Sequence, residues 1–335
     1  TTKNLGFDFT FLQSRLTFTA DIFERKVTDI LIPGGKDYPA LIGDDDLPFE
    51  NAGILKTTGF ELQAKWSDKL ANGFRYSVGV ALSDDKAKVV SYPSNPTNKI
   101  GDGVLYKGYT VGDIWGYVTG GILQEGDFDG VGANGKPLYH GPYFKGGQAY
   151  PGYIWYQDLD HDGVITTGLN TVDDPGDRKV IGNNAPRYRY NITANSQYKG
   201  FDLDLMFQGV GKRDYWLSST SSYWGNGAGS WEVYNNSWTP ERTDAKFPMY
   251  GSGTGSYPQT GYLLDASYIK LKQVILGYTF PRALINKIGL EKLRLNLAAY
   301  NLFTISDMPK YYDADYLSDA YPPKRTFSVG IQVGF

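Results

Sequence analysis

Apolar and polar residues alternate with a period of two along much of this chain. At its end, Phe327, Val329, Ile331, Val333 and Phe335 share one parity, while Thr326, Ser328, Gly330, Gln332 and Gly334 share the other. Side chains on a β-strand point alternately to opposite faces, so this segment has one greasy face and one small, polar face. Phe201, Leu203, Leu205 and Phe207 repeat the pattern against Asp202, Asp204, Met206 and Gln208. So do Phe74–Leu82, Tyr188–Ala194, Leu293–Leu297 and Phe60–Trp66, and near the start Phe7, Phe9 and Phe11 lead into Leu16, Phe18, Ala20 and Ile22. One segment changes phase. In Ser267–Phe280, Ile269 and Leu271 fall on one parity and Val274, Leu276, Tyr278 and Phe280 on the other, which predicts a β-bulge near Lys272–Gln273.

The pattern predicts nine strands, at 5–13, 15–28, 56–67, 73–84, 187–198, 200–210, 267–280, 291–302 and 324–335. Short connections (Gln13–Ser14, Ser67–Asn72, Lys199–Gly200, Pro281–Lys292) alternate with long ones (29–55, 85–186, 211–266, 303–323). A soluble sandwich has no reason to put every long loop on one side. Outer-membrane barrels do, with short periplasmic turns and long extracellular loops. The minority face carries Gly, Ser, Asn, Gln and Thr, as a hydrated lumen would, and aromatics such as Tyr188, Tyr198, Phe201, Tyr278 and Phe280 gather near strand ends like an interfacial girdle. The expected fold is all-β, a transmembrane antiparallel barrel. Nine strands with one apolar face leave two unpaired edges in lipid, and bacterial single-chain barrels have even strand counts. The whole of 1–335 is therefore expected to be the C-terminal portion of one larger barrel domain.

Composition narrows the function. Among 335 residues there are 41 Gly, 27 Tyr, 7 Trp and no Cys, with a net charge of −3. That balance gives no basic face for nucleic acid, and the lack of Cys excludes disulfides and thiolate chemistry. No run of about 18 apolar residues forms a membrane helix, but a barrel strand needs only about 9–11 residues. The chain opens at Thr1 without Met, so it is expected to be a mature product or a piece of something longer.

Several segments carry a family signature. Asn51–Trp66 (NAGILKTTGFELQAKW), Pro151–Thr166 (PGYIWYQDLDHDGVIT), Asp177–Ile192 (DRKVIGNNAPRYRYNI) and Phe201–Trp216 (FDLDLMFQGVGKRDYW) come first. Ser237–Glu241 (SWTPE), Leu263–Pro281 (LLDASYIKLKQVILGYTFP), Tyr300–Ser306 (YNLFTIS) and Pro322–Phe335 (PPKRTFSVGIQVGF) follow in the same order. Together they resemble the C-terminal part of SusC-like (SusC/RagA-type) TonB-dependent outer-membrane transporters. Two departures stand out: an insertion at Thr167–Gly176, and MPKYYDADY where the family more commonly has Y-x-G-Y-D-P-E.

The resemblance implies a barrel of about 22 strands with a plugged lumen, of which these are the last nine. It implies a multi-pass protein in the outer membrane of a Gram-negative bacterium, surrounded by outer-membrane lipid. It also implies import of a large nutrient, an oligosaccharide or oligopeptide, driven through TonB by way of the N-terminal plug. A SusD-like surface lipoprotein would sit over the mouth as a lid. Two readings from other classes share the strands: a passive porin or surface-anchoring barrel, and a secreted glycan-binding β protein. A plug upstream of residue 1 would favour import; solubility without detergent would favour the last.

Candidate sites are few. Asp158, Asp160, Asp162 and Gly163 form D-x-D-x-D-G, the first half of a calcium loop, with the Val164 carbonyl as the next ligand. An EF-hand would need a carboxylate at Leu169; Asp173, Asp174 or Asp177 could replace it after the insertion. The ion would be a structural calcium or magnesium, and the alternative is a solvated acidic turn. Trp216, Trp224, Trp231 and Tyr234, among the aromatics of 211–266, can stack on sugar faces or pack within the loop or against the lid protein. Phe335, a terminal aromatic on an alternating strand, resembles a barrel-assembly signal as well as a lipid-facing side chain. Lys270 and Lys272 are expected in the lumen. The histidines His140 and His161 lie in loops, and no G-x-S-x-G, H-E-x-x-H or P-loop occurs, so the chain is read as a non-enzyme.

Overall fold

The computed structural model describes residues 1–33, 49–101, 103–217, 231–252, 256–310, 312–317 and 323–335. Nine strands form one antiparallel sheet in sequence order. They are β1 Thr2–Phe11, β2 Leu16–Pro33, β3 Phe49–Lys69, β4 Arg75–Ser91, β5 Arg187–Tyr198, β6 Phe201–Lys212, β7 Tyr268–Thr279, β8 Lys292–Ile305 and β9 Thr326–Gly334. Every neighbour in this series is a neighbour in space, which suits a curved wall built hairpin by hairpin.

The register keeps the two faces separate. Leu297 of β8 pairs with Leu276 on one side and Val329 on the other, while Asn296 pairs with Gly277 and Gly330. The apolar face is bare: Val329 is 77% exposed and Phe327 71%. In water such a face would be an aggregation hazard; in lipid it is the ordinary outside of a barrel. The predicted phase change is present. The register slips at Met206/Phe207 against β7 and at Leu271/Gln273 against β8, which places the bulge at Lys272. Lys270 therefore faces the lumen beside Gln208.

At the short-connection end, β5 and β6 are joined by Lys199–Gly200, whose φ values are 47° and 92°. Positive φ at both turn residues suits the twist of a two-residue hairpin, and glycine takes the second position without a Cβ clash. Three strands exceed expectation. β2, β3 and β4 hold 18, 21 and 17 residues, and they continue well past the last alternating position.

Two connections expected as loops are instead folded together. Short strand pairs join Asp113–Tyr117 to Arg178–Asn183, Thr119–Ile122 to Ile154–Tyr156, and Asp214–Tyr215 to Leu264–Asp265. Their common core contains Tyr117, Ile154, Tyr156 and Ile165 from the first connection, and Leu217, Val233, Phe247 and Tyr262 from the second. Backbone bonds also cross between them, from Tyr117 N to Pro258 O (2.9 Å) and from Met249 N to Gly152 O (2.7 Å). The long-loop end of the wall thus carries a packed cap.

Candidate functional site

The acidic turn is shaped by its own carboxylates. The Asp158 carboxylate accepts from His161 N (2.7 Å) and Gly163 N (2.9 Å), and Asp162 Oδ1 accepts from Val164 N (2.8 Å). His161 and Gly163 take left-handed φ values of 62° and 85°, so the chain doubles back tightly. Asp177 closes the turn from beneath. It is fully buried, and its carboxylate accepts from Leu159 N (2.8 Å) and Thr166 N (2.7 Å). The insertion 167–176 leaves the turn at Thr166 and returns beside it, since Asp177 N donates to Thr166 O at 3.2 Å.

One oxygen each from Asp158, Asp160 and Asp177 lies within 4.8 Å of the other two. Of the residues expected to hold a cation, Asp158 and Asp160 are in this group. Asp162 is outside it, occupied in capping Val164, and Val164 itself lies in the short strand Val164–Ile165. Asp177, one of the three alternates named from sequence, joins the group in their stead. The electrostatics suit an acidic nest. Burial, with the charges of Asp177 and Asp162, holds the Asp160 carboxyl above its usual range. For Asp158, burial pushes the same way, but hydrogen bonds from Gly163 and His161 outweigh it and hold the carboxyl low. Three carboxylates at this spacing offer oxygen donors of the kind a hard divalent cation takes.

The aromatic candidates separate. Trp216 packs against the cap core. Trp231 and Tyr234 stand on a short helix, α1 Trp231–Asn235, whose Val233 is buried in that core. Trp231 is 77% exposed, and its ring meets Tyr234 edge-on at 5.9 Å; Tyr234 in turn meets Tyr250 at 5.7 Å. Trp224 lies outside the described residues. Trp238, from the same connection, is buried and donates from Nε1 to Gln124 Oε1 at 2.9 Å, joining the two halves of the cap. Phe335 follows β9 and is 88% exposed.

Sequence reasoning missed the polar network behind Lys270. This side chain is 1% exposed, and its ammonium donates to both oxygens of Asp313 (2.9 and 3.0 Å) and to Asp315 Oδ2 (3.2 Å). Lys272 lies 3.4 Å from the same Asp315 oxygen. Tyr268 Oη donates to Asp315 Oδ1 at 2.6 Å. The alternating aspartates of YYDADY were the available signal, because such spacing can present two carboxylates to one point.

Comparison with known proteins follows the same lines. No family model matches the chain. TonB-dependent receptor P3 of Formosa agariphila is 27% identical over 99% of this chain. TonB-dependent receptor SusC of Bacteroides thetaiotaomicron is 26% identical over 100% of it. The chain is similar to the barrel of SusC-type TonB-dependent receptors. It spans about a third of these relatives' length (34% and 32%), within their C-terminal part. Among solved structures, the RagAB peptide importer in its "open-open" state superposes over 100% of this SusC-like chain and 34% of its own, with a TM-score of 0.73 at 20% identity. That likeness concerns the fold. The SusC-like wall is an outer-membrane β-barrel wall, crossed by strands; among the described residues no helix is long and apolar enough to span a membrane.

Proposed function

We propose that this chain is the C-terminal, cap-bearing portion of a TonB-dependent outer-membrane importer for a large nutrient, an oligosaccharide or oligopeptide. The observation that carries the reading is the pairing of a wall whose apolar face is bare with a folded cap on its long-connection side. A passive pore needs no such cap. The relatives named as TonB-dependent receptors support energised import, and the likeness to SusC and to RagAB supports a surface lipoprotein partner. The remaining strands and the plug that receives TonB would come from the N-terminal part of the same protein. The exposed Trp231–Tyr234 pair is where the cap offers rings to a sugar, a peptide or the lid protein. A calcium ion held by Asp158, Asp160 and Asp177 would stiffen the cap rather than take part in transport.

The test is detergent extraction of native outer membranes, followed by mass spectrometry of what co-purifies. Recovery with a plug-bearing segment and a surface lipoprotein is the expected result. Recovery from the soluble fraction, alone, would sink both the barrel and the import reading.

A further inference from the structure

The register of β2, β3 and β4 lays their outward side chains in rows. Leu16, Trp66 and Val78 form the lowest row, on the apolar parity of the wall. The same parity ends, toward the long connections, in a row of three lysines: Lys26 stands opposite Lys56, and Lys56 opposite Lys88. The row beneath adds Lys3 of β1, opposite Glu24, and Lys86 of β4, opposite Thr58.

The height of this row is set by β3. The ten steps from Lys56 to Trp66 cover about 34 Å of strand, or about 24 Å of height at a tilt of ~45°. The apolar band of such barrels is ~25 Å tall. With Trp66 at the interface beside the short connections, the lysines therefore stand at the opposite interface, where the headgroups of the outer leaflet begin.

The protein itself compensates this charge poorly. Lys56 meets Glu24 at 2.8 Å. The other outward carboxylate nearby, Asp84, is held by Arg187. Among the described residues, no carboxylate comes within ion-pair distance of Lys3, Lys26, Lys86 or Lys88, and all four are exposed. Like charges directly opposite on neighbouring strands repel, so a row of three lysines in register carries a cost. Snorkelling explains one lysine at an interface. It does not explain three abreast with two more below, on a chain whose net charge is −3.

We propose that this lysine patch is a docking site for a phosphate-bearing lipid headgroup of the outer leaflet. Strands about 4.8 Å apart put the ends of the Lys26–Lys88 row about 10 Å apart, and the flexible lysine stems let their ammonium groups converge on one headgroup. A bound phosphate turns the mutual repulsion of the row into shared attraction, and it joins β2, β3 and β4 from outside. The occupant is a lipid rather than a free anion because the apolar rows continue directly beneath the lysines, where acyl chains would lie. The site is on the outer side of the wall, away from the lumen. It rests on the wall standing in a membrane and not on the import reading.

The test is native mass spectrometry of the full-length protein in detergent, titrated with diphosphoryl lipid A. The native chain should retain one lipid A and should bind the fully dephosphorylated form far more weakly. The variant carrying Lys26→Gln, Lys56→Gln and Lys88→Gln should lose affinity by about fivefold per lysine, about a hundredfold in all. Lys65→Gln, on β3 but on the lumenal parity, should bind as the native chain does. Equal affinity of the triple glutamine variant, or equal affinity for the dephosphorylated lipid, would overturn the proposal. So would displacement of lipid A by inorganic phosphate, which would make the row a free-anion site. Should the triple variant fail to assemble, the comparison of the two lipids on the native chain still decides.

Discussion

The wall and the cap are made of one chain and obey opposite rules. In the wall, apolar side chains such as Val329 and Phe327 stand bare; in the cap, Phe247 and Tyr156 are fully buried. The wall is held by cross-strand ladders and needs no core. The cap has little regular ladder and depends on a core collected from distant segments. The difference teaches that burial alone does not measure what a residue contributes here, because the two regions face different solvents.

The comparison can be broken most severely in the cap. Phe247→Ala should cost about 3–5 kcal/mol, the range for a buried aromatic. The cap should become protease-sensitive while the barrel keeps its heat-modifiable migration on gels; joint collapse would show that the two regions are one cooperative unit. Next comes the wall. Leu297→Arg places a charge on the bare face and should cost about 2–4 kcal/mol near mid-bilayer, whereas Asn296→Arg, one residue away on the lumenal side, should fold in bilayers nearly as the parent does. Equal penalties at both positions would contradict the assigned faces.

The acidic turn sharpens the cap's side. At a calcium concentration about a hundredfold above its dissociation constant, binding should stabilise the cap by about 2.7 kcal/mol, and Asp177→Asn should remove that gain. The readout is thermal unfolding of the cap with and without calcium; an identical shift in the variant would mean the ion binds elsewhere. Smallest is Val329→Ala, which in a soluble core would be costly. On the lipid face it should stay within about 0.5 kcal/mol, measured by urea unfolding from liposomes. A loss as large as that of a core cavity would mean that Val329 faces protein.

The wall was legible because its period is short and repeated. All nine strands lie where alternation placed them, and even the bulge at Lys272 showed as a change of parity. What alternation could not mark were the upper ends of β2, β3 and β4. Above the membrane both faces of a strand meet water or the cap, so residues such as Glu50–Ile54 or Asp84–Ala87 carry no period. Asp84, on the apolar parity, is neutralised there by Arg187 in a paired contact at 2.6 and 2.5 Å. The cap was not legible. Its strands are too short to show a period, and Phe247 shares a core with Tyr262 and Tyr156 only because two separate connections fold on each other. Asp177 is a middle case: the sequence offered it beside Asp173 and Asp174, and only the closed insertion singles it out by returning it to Asp158. The surface rings, by contrast, could be nominated from sequence but not sorted into exposed Trp231 and packed Trp216.

The uneven strand lengths shape the mouth itself. A strand of 21 residues, as in β3, is about 70 Å long and about 50 Å tall at a tilt of ~45°, roughly twice the ~25 Å apolar band of such barrels. β9, with 9 residues, is about 30 Å long and about 21 Å tall at the same tilt, short of that band. Along these nine strands the edge is therefore stepped, a parapet at β2–β4 and a low sill at β9.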